Sequence, residues 1–339
     1  MEQIAVNSNN YNTKSFLLTI AIPTYNRANI LHIALGILLP QINNYSSEIE
    51  LIISDNASND NTQKVIKDLL SQYPTINSII YTQKNNSGYF GNFKKCRELS
   101  KGVFFWLLSD NDHIGNNLIE MVMECLVRKI GTSVIYLRNI DSAKFLVKHY
   151  NLNTFFNNEN SYLITLISSA IFRNDKSLDH DIYSNYSDNL FLGFLLLINS
   201  LNGNDRILQI SGRCFKSYPA TNSYNYFTAF TKDINQCLNY MTDRGYLTKR
   251  NKNLFINGIL KNIIYPYLIN LNLNSNGLTT YDETKKKIKN SLDAYYSTNK
   301  YYLSCITKLF HSSSFTLKLK QVNFIIKKKI HKYYLQISN

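Results

Sequence analysis

Three polar clusters in this chain carry residues suited to phosphate, metal or base chemistry. Asp110 and Asp112 stand one residue apart in Ser109-Asp110-Asn111-Asp112, directly after the apolar run at 103–108 (VFFWLL). Two carboxylates at that spacing can both face a divalent cation, which in turn holds two phosphates. Read blandly, the same residues make a solvated turn. Asp55 sits in Ser54-Asp55-Asn56-Ala57-Ser58, after a second apolar run at 49–53 (IELII). A carboxylate there can accept a hydrogen bond from an N–H of a nucleotide base, while Asp-Asn-Ala-Ser-Asn-Asp is also good Asx-turn chemistry. Asp60 is placed to cap the helix that follows. Pro23-Thr24-Tyr25-Asn26-Arg27 follows a third run at 17–22 (LLTIAI). Its backbone can line a base or ribose, and Arg27 can meet a phosphate, though it is equally an ordinary surface Arg. Asn86-Ser87-Gly88, four residues before Asn92, can bring a helix N-terminus toward a nucleotide, or can be a plain loop.

These clusters act together only if the fold brings them to one place. Residues 17–22, 49–53, 76–81 and 103–108 read as strands, the first as a continuous apolar run suited to burial on both faces and the fourth as the most hydrophobic. Between and after them, apolar residues recur at helical spacing: Leu31, Ala34, Leu35 and Leu38 behind an Asn26 cap; Val65, Ile66, Leu69 and Leu70; Phe93, Cys96 and Leu99; Leu118, Ile119, Val122, Met123 and Leu126. This alternation predicts a doubly wound α/β fold with a parallel sheet. The carboxyl ends of parallel strands share one rim, where ligands bind. Carboxylates gathered there repel one another unless a cation joins them. Beyond Gly131 the pattern weakens. Residues 134–137, 163–172 and 207–210 are candidate strands, 175–188 is rich in acids, and 189–201 reads as an apolar helix. A soft boundary falls at 218–223, and the remainder reads as helical.

The bulk numbers narrow the class. The chain has 339 residues, 44% apolar and 18% charged, which suits a globular protein rather than a disordered one. No two of the five Cys form a Cys-x-x-Cys pair, which argues against a zinc knuckle and fits a reducing compartment. The first residues show no signal pattern, and no apolar run is long enough to span a bilayer. The net charge of +14 is concentrated at one end: from Thr284 onward there are twelve Lys, no Arg and one acid, Asp293. A basic tail beside a near-neutral body points to an anionic partner for the tail.

The order and spacing of Ile22-Pro23-Thr24-Tyr25-Asn26-Arg27, Ser54-Asp55-Asn56-Ala57-Ser58-Asn59-Asp60, Asn86-Ser87-Gly88 with Asn92, and Leu108-Ser109-Asp110-Asn111-Asp112 resemble the family-2 glycosyltransferases of the GT-A fold. The wording Ser-Asp-Asn-Ala-Ser looks most like bacterial O-antigen and capsule transferases of the abequosyltransferase-like kind. The resemblance covers residues 15–130, thins toward 220 and then stops. It implies a GT-A catalytic domain at 15–220, with a nucleotide-sugar half at 15–130 and an acceptor half at 131–220, followed by a helical, basic region at 221–339. It also implies an enzyme that moves a sugar from a nucleotide-sugar, usually with inversion, assisted by Mg²⁺ or Mn²⁺. Asp55 would then hold the base, with Pro23, Thr24, Tyr25, Asn26, Arg27, Asn86 and Asn92 around the donor, and Asp110 and Asp112 would serve metal and diphosphate. Many relatives carry Asp-Gly-Ser where this chain has Asn56-Ala57-Ser58, so a different local turn is expected.

An acceptor hydroxyl attacking the anomeric carbon needs a carboxylate to take its proton. Asp188, ahead of the apolar helix, fits the acidic residue that relatives place there; Asp179 and Asp181 compete, and helix N-capping is the plain alternative for Asp188. In the tail, Phe315, Leu319, Val322, Ile326, Ile330 and Tyr333 share one helical face while Lys residues fall mostly elsewhere. Such a helix can lie on an anionic membrane surface, or pack on the protein with a solvated Lys face. Acceptors carried on a polyprenyl lipid, as in transferases of this kind, favour the membrane. The expected location is then cytoplasmic, peripheral on the inner face of the cell membrane. A nucleic-acid partner ranks last, because no recognition module accompanies the Lys residues. The rival readings are a nucleotidyltransferase on a related α/β sheet, which would need a Gly- and Lys/Arg-rich phosphate loop absent after the first strand, and a non-catalytic protein that binds membrane surfaces or polyanions.

Overall fold

The structure is a computed structural model that describes residues 3–7, 16–128, 132–158, 160–177, 179–201, 206–217, 228–274 and 279–311. The soft boundary at 218–223 and the striped tail from Phe315 to Tyr333 lie outside the described residues. Contacts divide the chain into two compact units: Met1–Phe155 with Leu163–Tyr224, and Phe156–Tyr162 with Asn225–Asn339.

The first unit opens with β1 (Gln3–Asn7) and β2 (Leu18–Thr24), then α1 (Ala28–Asn43), β3 (Ile49–Asp55), α2 (Thr62–Leu70), β4 (Asn77–Thr82), α3 (Gly88–Leu99) and β5 (Phe104–Leu107). β6 (Asp112–Ile114), α4 (Leu118–Val127), β7 (Thr132–Asn139), β8 (Leu146–Asn151), α5 (Leu152–Phe156), β9 (Ala170–Arg173), α6 (Asp179–Asn185), α7 (Leu192–Asn199), β10 (Arg206–Gly212) and β11 (Phe215–Ser217) follow. Nine strands form one sheet in the order β1-β4-β3-β2-β5-β9-β7-β10-β8, and β11 pairs with β6 in a separate ribbon. β2 runs parallel to β3 and β5, and β3 to β4. β9 is antiparallel to both β5 and β7, which returns β7 and its parallel neighbour β10 to the direction of the first block. Six of the nine strands therefore point one way. This is an α/β sheet, with its parallel core where the apolar runs predict it.

Those runs form strands because both faces are covered. Leu18, Ile20, Ile22, Leu51, Ile53 and Trp106 pack with Leu31, Leu35, Leu38 and Ile66 from α1 and α2 in one core. β3 is buried at every position. Glu50 is part of that strand, and its carboxylate accepts from Thr19 Oγ1 at 2.7 Å and Lys101 N at 2.9 Å. Thr19 Oγ1 in turn accepts from Gly102 N. Burial pushes the Glu50 carboxyl up from its ordinary value of 4.5, against those hydrogen bonds.

The second half of the sheet departs from expectation. Residues 163–172 are not one strand: two short 3-10 turns, Ser161–Thr165 and Ile167–Ser169, precede β9. The acid-rich stretch contains α6, and the apolar helix α7 is shorter than its pattern at both ends.

The second unit is helical, with Ile234–Asp243, Lys249–Ile259, Tyr265–Asn274 and Thr279–Tyr296 as its main segments. Leu238, Met241, Phe255, Leu292, Tyr296 and Tyr302 are buried in it. Phe156, from the middle of the chain, meets Phe255 with ring centroids 6.4 Å apart. Burial continues through Ile306, Leu309 and Phe310. No helix among the described residues is long and apolar enough to cross a membrane.

Candidate active site

The site is built at the carboxyl ends of β2, β3 and β5. Thr24 ends β2 and stands in register with Asp55 at the end of β3. Its hydroxyl donates to Asp110 Oδ2 at 2.9 Å, so one threonine stands between Asp55 and Asp110. Asp110 lies just past β5, which is held beside β2 by the Leu108 N–H to Ala21 O bond. The three polar clusters thus reach one rim, as the pattern of apolar runs predicts.

Asp55 is fully buried. Its Oδ1 accepts from Ser58 N at 3.1 Å, the Asx turn foreseen in the sequence, while its Oδ2 is buried with no partner. A buried acceptor left unmade costs roughly 1–3 kcal/mol. The turn therefore uses one carboxylate oxygen and leaves the other open to a donor.

Ala57 has φ 63°, in the left-handed region, although it is not glycine. The turn expected to differ from the Asp-Gly-Ser pattern thus takes a conformation that glycine favours, and the alanine bears the strain. Asn56 fastens the neighbouring loop. Its Nδ2 donates to Asn86 Oδ1 and Gly88 O, and its Oδ1 accepts from Ser87 N and Ser87 Oγ. Asn86 Oδ1 also takes Gly88 N at the start of α3.

Arg27 and Asp110 form an ion pair at 2.9 Å, both mostly buried. Burial pushes the Asp110 carboxyl up from the usual range, and the Arg27 guanidinium opposes that. Arg27 is thus no ordinary surface residue. Asn26 is no helix cap either. It has φ 51°, its N–H donates to Ser58 Oγ, and its Oδ1 accepts from Asn59 N. The start of α1 is served instead by Asp60, whose Oδ2 accepts from Ala28 N while Oδ1 accepts from Thr62 N and Thr62 Oγ1 in α2. Burial would raise the Asp60 carboxyl, but these bonds outweigh it and hold it below the usual range.

Asp112 begins β6, opposite Ser217 of β11. Its Oδ2 accepts from Ser168 Oγ at 2.6 Å. Among the described residues no three His, Cys, Asp or Glu side chains gather as a cage for a metal ion. A partly exposed Asp112 still suits Mg²⁺ or Mn²⁺, because Mg²⁺ is held by one or two carboxylates with substrate phosphates and water rather than by a protein cage.

Residues 19–181 match the model of Glycosyl transferase family 2. They form a family 2 glycosyltransferase domain. The chain is 32% identical over 137 residues to the uncharacterized glycosyltransferase MG025 homolog of Mycoplasma pneumoniae, covering 40% of this chain and 44% of that protein. It is 29% identical over 137 residues to abequosyltransferase RfbV of Salmonella typhimurium, covering 36% and 39%. The chain thus spans less than half the length of the curated relatives it matches. Among solved structures it resembles S. aureus TarS 1-349 in complex with UDP-GlcNAc, with a TM-score of 0.58 at 15% identity, over 91% of this chain and 88% of that one. The mannosyltransferase PcManGT from Pyrobaculum calidifontis, in complex with GDP-Man and Mn2+, aligns with a TM-score of 0.50 at 11% identity, over 91% and 88%. Both likenesses establish the fold.

Within this glycosyltransferase domain, one residue expected at the donor has another task. Asn92 is buried and saturated: Oδ1 accepts from Ser54 Oγ and Gln83 Nε2, and Nδ2 donates to the Thr24 and Ser54 carbonyls. It braces the ends of β2 and β3 and has no polar atom left for a ligand. Asn86 commits its Oδ1 to the α3 loop. Asp179 pairs through Oδ2 with buried Arg97 at 2.9 Å, and its Oδ1 is buried without a partner. Asp188 lies on an exposed turn before α7. It does not cap that helix: Asn189 Oδ1 takes the Phe191 N–H. The sequence reading missed Ser168 and Asn56 as organisers of the site. Ser168, one of two adjacent Ser in an apolar stretch, carries no spacing signal, whereas Asn56 stands inside the Ser-Asp-Asn-Ala-Ser motif.

Proposed function

We propose that the protein transfers a sugar from a nucleotide-sugar donor to an oligosaccharide acceptor in surface polysaccharide biosynthesis, with inversion. The observation that carries this reading is the fully buried, unpartnered Asp55 Oδ2 on the rim that also bears Asp110. A rim holding one atom for a base and acids for metal and diphosphate suits a nucleoside diphosphate with a leaving sugar.

Asp55 receives the base, and the backbone of residues 23–27 lines the base and ribose. Asp110, already neutralised by Arg27, supports the phosphate side. Asp112 would hold Mg²⁺ or Mn²⁺, which when bound would supply positive charge near the leaving diphosphate. Asp188 takes the proton of the acceptor hydroxyl; its exposed turn suits a residue that meets a large incoming acceptor. The acceptor is carried on a polyprenyl lipid at the inner face of the cell membrane, and the basic tail contacts that anionic surface. The catalytic domain spans residues 15–220, with its acceptor half from 131, and residues 221–339 form the appended helical region.

Asp112→Ala tests the site directly. The variant is expected to lose at least about a hundredfold in sugar transfer, measured as donor turnover across a panel of nucleotide-sugars, while its circular dichroism stays that of the native protein. Native turnover in Asp112→Ala would rule out the proposed metal role.

A further inference from the structure

We infer that Ser168 is a positioning residue that aims the Asp112 carboxylate at the metal–diphosphate; this rests on the donor-site reading above. Ser168 is buried in the short turn Ile167–Ser169 of the acceptor half, far from Asp112 in sequence. Three hydrogen bonds bind that turn to the strand end carrying the acids. Trp106 Nε1 donates to Ser168 O at 2.9 Å, Ser109 N donates to Ser168 Oγ at 2.9 Å, and Ser168 Oγ donates to Asp112 Oδ2 at 2.6 Å.

The direction of the last bond is fixed. A serine hydroxyl has one proton to give. The Ser109 N–H occupies a lone pair on Oγ, so the hydroxyl proton is turned toward Asp112 Oδ2, which accepts it. Trp106, fully buried in β5, anchors the backbone on which Oγ sits. Rigid wall, hydroxyl and carboxylate thus form one chain ending on Oδ2. Bonding one oxygen from a fixed direction sets the rotation of the carboxylate plane, and so where it presents charge. Outer partners of metal-holding carboxylates act this way, and their loss typically weakens metal affinity 10–100-fold.

The test is isothermal titration of the full chain with UDP, GDP, CDP and dTDP, each with and without Mn²⁺, on wild type, Ser168→Ala, Ser168→Thr and Asp112→Ala, together with Mn²⁺ titration at saturating nucleotide. Ser168→Ala is expected to weaken apparent Mn²⁺ affinity about tenfold while metal-free nucleotide affinity stays within about twofold. Ser168→Thr, which keeps the hydroxyl, should recover most of the loss. Added to Asp112→Ala, Ser168→Ala should weaken Mn²⁺ no further. Unchanged Mn²⁺ affinity in Ser168→Ala overturns the role, as does an equal fall with and without metal, which marks a merely structural residue. A wild type whose nucleotide binding ignores Mn²⁺ overturns the metal site as well. A wild type that responds, matched by Ser168→Ala, removes the Ser168 role alone.

Discussion

Asp55 shows how binding and stability oppose each other in one side chain. Its Oδ2 is desolvated without a partner, a cost that a base N–H would relieve under the proposed function. Asp55→Asn keeps the shape and removes the charge, but turns either an amide N–H or a weaker acceptor toward the base. The variant is expected to melt at or above the wild-type temperature without ligand, and to lose at least about tenfold in nucleoside diphosphate affinity, a penalty near 1.4 kcal/mol. Calorimetric melting with and without nucleotide separates the two effects, and a variant that loses stability yet keeps affinity refutes the assignment. Ala57 makes a second case. Its φ of 63° suits glycine, so Ala57→Gly is expected to stabilise the protein by about 1 kcal/mol in urea unfolding, net of the greater chain entropy glycine brings to the unfolded state. A destabilised Ala57→Gly would show that the turn carries no such strain. Asp55 and the Asp110/Asp112 pair were legible in the sequence because each follows a mostly apolar run, broken before Asp55 only by Glu50, so strand end and acid are read together. Ser168 was not, because what it does depends on a contact across 56 residues.

Among the elements, the parallel block was legible and the rest was not, for a physical reason. β2, β3 and β5 are buried on both faces, and burial on both faces writes a continuous apolar run. β6 and β11 are three residues long, too short to show any period, and β8 is a largely exposed edge strand with Lys and His among its residues. α6 opens on Asp179 and Asp181, which resemble a solvated loop until Arg97 is seen beneath Asp179. Glu50 broke the apolar pattern of β3 without ending the strand, because Thr19 and Lys101 satisfy it. Its folded-state pKa lies above 4.5, so its contribution favours folding fully below that value and is lost as pH rises through the raised one. The melting temperature of Glu50→Gln, relative to wild type, is therefore expected to be constant under acid conditions and to climb through the window above pH 4.5. A difference that stays flat to neutral pH would mean that burial does not perturb this carboxyl.

For the whole molecule, charge is divided as sharply as structure. Residues 312–339 carry six Lys and no acid. A cut near Tyr302 would remove Ile306, Leu309 and Phe310 from the second unit's core, so the informative truncation ends at His311. That truncated protein is expected to lose binding to anionic vesicles, a binding that salt should also abolish, while keeping nucleoside diphosphate affinity; each Lys near such a surface contributes about 1 kcal/mol. Cosedimentation with phosphatidylserine vesicles reads this out, and undiminished cosedimentation would move the membrane contact elsewhere.

The segment Phe156–Tyr162 belongs to the second unit although the first unit's chain resumes after it. A growing polypeptide therefore delivers Phe156 long before Phe255, the ring it rests against, has been made. The earlier half of the chain is therefore made before that aromatic segment can be covered, and apolar surface left open during synthesis favours aggregation.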